Sequence, residues 1–428
     1  REFGTIYEGL LESELSLAEQ NLTRNANGTY LPAYSDKKVF IKSGEIYLHD
    51  RSGARKSSGS YYTPDFAVEH LLDGALETAL DQHLENMSKL NEADRVDQFF
   101  DFRVADIAMG SGHFLVAAID RIERRFALWL DDNYTPGIER ELQHLREAAK
   151  KQLGELADTV MIEDGQLLRR MIARRCIYGV DLNSVTVQLA RLSIWIHTFV
   201  PGLPLSLLDH NLVMGNSLIG IGSLNEIRKK FDESSGTLFA VDADNLLGQA
   251  AEPLKKLAKL SDVSVKDIES GRALIEEARL KILDTKALCD LITAQPVSKD
   301  TRLRDFQFED WERQKNKIHS SKELDLARKI LKPLSAFHFP ISLPEVFLGR
   351  SQGFNVILGN PPWEEVKAEE RDFWTGLFPG LRGLSQREQV QRWKEISDER
   401  PDLKEKWILT EKSTNDLATI LRKGDFPG

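Results

Sequence analysis

The sequence predicts an α/β fold, a doubly wound parallel sheet interrupted by large α-helical insertions. Three apolar runs carry that expectation: Val104-Ala105-Asp106-Ile107, Cys176-Ile177-Tyr178-Gly179-Val180-Asp181 and Phe354-Asn355-Val356-Ile357-Leu358-Gly359. Each breaks into a polar or glycine-containing turn, and the first two run on into apolar-periodic helices, the alternation that such sheets require.

The first element of interest is Gly59-Ser60-Tyr61-Tyr62-Thr63-Pro64, which precedes a helix carrying Phe66, Val68, Leu71 and Leu72. Thr63 is expected as its N-cap and Pro64 as its first helical residue, and a well-capped helix alone would explain the pattern. The next is Asp106-Ile107-Ala108-Met109-Gly110-Ser111-Gly112-His113, a strand end breaking into a small-residue loop and a helix. Gly110 and Gly112 would let the backbone pass close to a ligand, and Asp106 could hold a cationic group. A tight strand-to-helix turn is the plainer reading of the two glycines, and Leu115 stands where a dinucleotide fingerprint needs a third, so NAD is not expected.

Asp181 ends the following strand, and a helix with Val185, Leu189, Leu192, Trp195, Ile196 and Phe199 begins after Asn183. An acid there either accepts from ribose hydroxyls or favours the helix macrodipole. Asp209-His210-Asn211-Leu212-Val213-Met214-Gly215-Asn216-Ser217-Leu218 reads as a third strand and turn, with Asn216 placed to read an adenine edge or to serve as an ordinary turn residue.

The last strand runs into Asn360-Pro361-Pro362-Trp363, the most informative tetrapeptide of the chain. Two prolines fix φ and remove two donors, leaving carbonyls as acceptors in a rigid turn. The Asn360 oxygen beside such a carbonyl could grip a flat NH2 group, and Trp363 could stack on the ring bearing it. A strand ending in a Pro-Pro turn beside a packed Trp is the structural alternative.

Taken in order, these segments resemble the amino-group DNA methyltransferases that use S-adenosylmethionine, in the arrangement where Tyr-Thr-Pro precedes the glycine loop. The resemblance is strongest to the adenine-N6 methylases of the Eco57I-like class, found in restriction-modification and in BREX and DISARM phage-defence systems. It spans roughly residues 1 to 366 and extends to Phe3–Leu11, Phe337–Pro340 and Leu343–Phe347. It implies a Rossmann-like methyltransferase sheet and a base-flipping mechanism on double-stranded DNA, with protein partners in a defence complex. Asn360 and the Pro361 carbonyl would accept from N6 of an adenine stacked on Trp363, with Pro362 stiffening the turn. Asp106, Gly110 and Gly112 would seat the methionine part of the cofactor, Asp181 its ribose, and Asn216 with Leu218 its adenine, while Tyr62, Thr63 and Pro64 would close over the methionine end. Two departures stand out: Ile107-Ala108-Met109 replaces the family's Pro-Ala-Cys, and Asn216 replaces a frequent Asp.

The chain has 428 residues, 41% hydrophobic and 29% charged, enough for a sizeable core. No run is long and apolar enough to span a membrane and no signal-peptide apolar region opens the chain, so a cytoplasmic protein is expected. Cys176 and Cys289 lack metal-ligand spacing, and neither a disulfide nor zinc is expected. A net charge of -10 gives no global basic footprint for DNA. Local basic clusters at Arg51, Arg55 and Lys56, at Arg121, Arg124 and Arg125, and at Arg169, Arg170, Arg174 and Arg175 read mostly as solvated helix faces, the first also as a DNA-contact candidate.

Residues 1–58 are expected to lead into the core, and 59–222 to form its first part, with a helical insertion over about 136–172. Residues 223–335 read as a longer helical insertion, 336–366 as the return to the core, and 367–428 as a helical segment with Trp374, Trp393 and Trp407 packed, where the fold reads as unfinished and the chain as a fragment. The Asp402, Glu405 and Lys406 set lies in one helical stretch and is not read as a nuclease motif. Two alternatives remain open at this point. A protein-glutamine N-methyltransferase could use the same turn on a flat amide and suits the acidic charge, and a non-catalytic fragment could bind cofactor without turnover.

Overall fold

A computed structural model describes residues 13–18, 20–24, 30–33, 38–50, 63–235, 243–308, 317–349, 352–361, 367–378, 381 and 384–423. The chain forms two compact units, Arg1–Tyr61 with Pro362–Arg422 and Tyr62–Pro361 with Lys423–Gly428. In the first unit, β1 (Ser13–Leu17), β2 (Leu22–Arg24), β3 (Tyr30–Pro32) and β4 (Ile46–Asp50) make two antiparallel pairs, β1 with β4 and β2 with β3.

The second unit opens with α1 (Asp65–Leu71), which passes through one π-helical turn, Leu72–Leu76, into α2 (Glu77–Ser88), followed by α3 (Glu92–Gln98). Then come β5 (Val104–Asp106), α4 (His113–Asp132), α5 (Pro136–Leu153), α6 (Asp164–Arg175), β6 (Ile177–Asp181), α7 (Ser184–His197) and β7 (Leu212–Met214). A helical stretch follows: α8 (Leu224–Ser235), α9 (Ala243–Gly248), α10 (Ala251–Lys259), α11 (Val265–Lys281), α12 (Leu283–Ala294), α13 (Thr301–Arg304) and α14 (Lys322–Leu331). Short helices α15 (Phe339–Ser342) and α16 (Pro344–Leu348) lead to β8 (Val356–Leu358).

The four strands β5 to β8 form one parallel sheet in the order β7-β6-β5-β8. The predicted doubly wound, Rossmann-like sheet with helical insertions is therefore present. The chain steps outward from β5 to β6 to β7 and returns to the other side of β5 for β8, so strand order reverses between β5 and β8. Ligands of open α/β sheets bind beyond the carboxyl ends of the strands at such a point. Val104, Ala105, Ile177, Val180 and Leu212 are buried, and Leu115, Ala118, Ile119 and Ile122 of α4 pack into the same core.

Two apolar patterns face differently from the sequence reading. On α7 the buried residues are Thr186, Val187, Ala190 and Ile194, while Val185, Leu192 and Ile196, and Phe199 just beyond the helix, are exposed. Two overlapping apolar stripes run along this helix, and small Ala190 allows the close approach that puts its own stripe inward. On α1, Phe66 is 78% exposed and Leu71 40%, whereas Val68, and Leu72 at the start of the π-helical turn, are buried.

Arg121 and Arg125, and Arg170, Arg174 and Arg175, are not on solvated faces, whereas Arg124 is exposed. Glu69, Asp73, Glu77 and Asp81, one helical turn apart, line up against Arg121 and Arg125, with Arg121 at 2.7 Å from Asp73 and 2.8 Å from Glu77. Arg170 is 1% exposed and bonds Asp262, Arg174 donates to the Leu257 carbonyl, and Arg175 pairs with Glu141. Arg51, Arg55 and Lys56, the Phe3–Leu11 segment and Tyr62 lie outside the described residues. In the first unit, α17 (Glu370–Leu377), α18 (Gln386–Glu399) and α19 (Pro401–Lys423) include the predicted packing aromatics, with Trp374 and Trp393 buried and Trp407 against them.

Candidate active site

Asp106 ends β5 at the strand-order reversal, level with Leu358 of β8 and Gly179 of β6. It is 1% exposed; Oδ1 accepts the Ala108 N–H at 3.0 Å, and Oδ2 has no partner among the described residues. Burial pushes its pKa up to about 7, the Ala108 bond opposes the rise, and nearby Asp181 adds to it. A cationic or N–H-bearing ligand group would satisfy such a buried carboxyl oxygen.

The glycine loop is braced by Asp181. Gly110 N–H donates to Asp181 Oδ2 at 3.0 Å, and Asn183 N–H donates to Oδ1 at 2.8 Å, bonds that lower the pKa that burial raises. Gly112, at φ 82, stands at the N-cap of α4, and a Cβ there would come 3.3 Å from Ala190 Cβ. The glycine therefore serves both the left-handed turn and the approach of α7. Met109, where the sequence departs from the expected motif, is buried over β6, and a Cβ on Gly179 would fall 2.2 Å from its sulfur. Asn183 is the α7 N-cap, accepting the Val185 N–H at 2.9 Å.

The third motif docks onto the same end of the sheet. Ser217 Oγ donates to the Ile107 carbonyl at 2.8 Å, and Asn216 Oδ1 accepts the Leu218 N–H at 3.1 Å. Asn216 thus turns its oxygen onto its own loop. Leu182, Met214 and Leu218 are each more than half exposed at the carboxyl ends of β6 and β7. Leu182 and Met214 were not singled out from sequence; Leu182 directly follows the strand-end Asp181, a signal that could have found it, whereas nothing local marks Met214.

Asn360 lies beyond β8, and its Nδ2 donates to Thr63 Oγ1 at 3.3 Å. This bond corrects the expectation that Thr63 caps the first helix: Pro64 holds the N-cap position of α1 without a side-chain cap, and the Thr63 hydroxyl serves Asn360 instead. Gly359, at φ 146, precedes the turn. Tyr62, Pro362 and Trp363 are outside the described residues. The structure thus brings together Thr63, Asp106, Gly110, Asp181 and Asn360 around one sheet end, with Ser217 holding the Asn216 loop there.

Residues 175–403, more than half of the chain, match the Eco57I restriction-modification methylase family. The chain belongs to that family. The match includes Asp181, Asn216, Leu218 and the Asn360–Trp363 tetrapeptide. A Methanocaldococcus jannaschii protein named as a type II restriction enzyme and methyltransferase is 23% identical over 363 residues, covering 72% of this chain and 28% of its own length. The chain thus spans under a third of that relative. No solved structure gives a significant match. Among the described residues, no helix is long and apolar enough to cross a membrane and no group of side chains has metal-binding geometry.

Proposed function

We propose that this methylase-family chain carries the site of a DNA methyltransferase that transfers the methyl group of S-adenosylmethionine to N6 of a flipped adenine. The observation that carries the reading is that Gly359, which leads into Asn360, packs against Asp106 at the sheet's switch point, with Asn360 joined to Thr63.

The residues present fit the cofactor. The Asp106 oxygen that has no partner among the described residues suits its ammonium group, Gly110 and Gly112 leave two positions of the loop without side chains, Asp181 suits the ribose hydroxyls, and exposed Leu182, Met214 and Leu218 suit an adenine face. When bound, the cofactor supplies an electrophilic methyl group on a sulfonium. The protein's part is orientation. Asn360 Oδ1 and the Pro361 carbonyl accept the two N–H bonds of the target amine, which holds its nitrogen lone pair toward the methyl group. Trp363 offers the stacking surface for a base taken out of the duplex. Thr63, by holding the Asn360 amide nitrogen, keeps the oxygen of that side chain as the acceptor. Tyr62 and Pro64 close the methionine end.

Transfer of labelled methyl to mixed-sequence duplex DNA, with nucleosides identified after digestion, tests the reading. Label in N6-methyladenine supports it, label in N4-methylcytosine changes the target base, and label only in a glutamine-bearing protein substrate sinks it. The last outcome is the reading that the net charge of -10 favours.

A further inference from the structure

We infer that His338 is a positioning residue that pins the Asn216–Ile221 loop of the cofactor site to helix α12 through Asp290; the inference rests on that loop belonging to the cofactor site. The two ring nitrogens of His338 have different partners. Nδ1 accepts the Ile221 N–H at 3.1 Å, and Nε2 lies 3.0 Å from Asp290 Oδ1. An imidazole that accepts at Nδ1 must donate at Nε2, so both bonds require one neutral tautomer. Both residues are 4% exposed, and such a pair is retained only when its groups are satisfied.

The loop itself lies along the chain around His338. Asn216 N–H donates to Ser335 O at 2.8 Å, Phe337 N–H to Ile219 O at 2.7 Å, and Phe339 N–H to Ile221 O at 2.9 Å. Gly220 sits at φ 133, and a Cβ there would stand 2.2 Å from the Phe337 carbonyl oxygen and 3.0 Å from His338 Nδ1. The backbone therefore passes directly over the imidazole. On the far side, Asp290 is held by Lys286 Nζ at 3.0 Å and by Arg328 Nε of α14 at 3.4 Å. Burial works against the Asp290 carboxylate, but His338 and Lys286 outweigh it and hold its pKa below the ordinary value. Asp290 thus remains a charged acceptor, and His338 links the helices between β7 and β8 to the loop bearing Asn216 and Leu218. Where those helices stand sets where the loop stands.

The test measures amide hydrogen exchange at Ile221 in the unliganded chain, and S-adenosylmethionine affinity by calorimetry, in wild type, His338→Gln, Asp290→Leu and Asp290→Asn. Gln places its amide at the level of Nε2, keeping a donor for Asp290 and leaving no acceptor at the Nδ1 position that faces Ile221, and Leu removes the anchor. Each is expected to speed Ile221 exchange and weaken cofactor binding by about tenfold, the scale of one buried hydrogen bond. Asp290→Asn, which still accepts from Nε2, is expected to stay within about threefold of wild type. Wild-type exchange at Ile221 in both folded His338→Gln and Asp290→Leu would overturn the inference. If wild type fails to bind S-adenosylmethionine, the cofactor reading falls, while the exchange data still decide whether His338 pins the loop.

Discussion

Asp106 Oδ1 lies 2.8 Å from the position that a Cβ on Gly359 would occupy. The acid that ends β5 and the glycine that precedes the Asn360 turn therefore share the crevice where strand order reverses, and the glycine leaves room for the carboxyl group. The proposed cofactor seat and the proposed amine-gripping turn adjoin through this pair.

Replacing Gly359 by Ala would place a methyl group against a buried carboxyl oxygen and force φ 146 on a residue with a Cβ. The expected loss is about 1–3 kcal/mol of stability. Denaturant titration reads that loss, and calorimetry should show weaker S-adenosylmethionine binding.

Asp106 makes stability depend on pH. Between its ordinary 3.8 and about 7 the unfolded chain has released this proton while the folded chain keeps it, so stability falls as pH rises. The favourable contribution is present in full below 3.8 and lost as pH passes about 7, a span worth about 4 kcal/mol. Asp106→Asn should flatten that part of a stability profile measured from pH 4 to 8. Affinity for a cationic ligand should rise through about pH 7 in wild type and not in the variant.

Met109 and Gly179 should couple. Gly179→Ala alone overpacks against the Met109 sulfur and is expected to lose about 1–3 kcal/mol. Combined with Met109→Ala, whose cavity the new methyl partly fills, the loss should be smaller than the sum of the two, which a double-mutant cycle reads directly.

The buried Arg170–Asp262 pair ties α6 to the segment before α11. Its carboxylate also accepts from Ser206 at 2.6 Å and lies 3.7 Å from Arg174. Asp262→Ala strands two guanidinium groups in the core and should cost about 3–5 kcal/mol, visible as a lower midpoint in thermal unfolding.

The strand ends were legible in the sequence because each carries its own chemistry: Asp106 before two glycines, Asp181 before Asn183, and the Asn360 turn. Long-range partners were not. The acids facing Arg121 and Arg125 lie far back in the chain, on α1, α2 and the π-helical turn between them, and Asp262 lies far ahead of Arg170, so local composition made those arginines look solvated. Thr63 has the residue type of a helix cap, and only its meeting with Asn360, 297 positions away, gives its hydroxyl another task. On α7, periodicity offered two apolar stripes and could not say which one the sheet would take.

The most direct test is methyl transfer from labelled S-adenosylmethionine to duplex DNA by the chain and by Asn360→Ala, with cofactor binding measured for both. The account predicts N6-methyladenine from the wild type, a loss of at least about 100-fold in the variant, and cofactor affinity unchanged within a few-fold. Equal transfer by both proteins, or labelled DNA without methylated adenine, would contradict it.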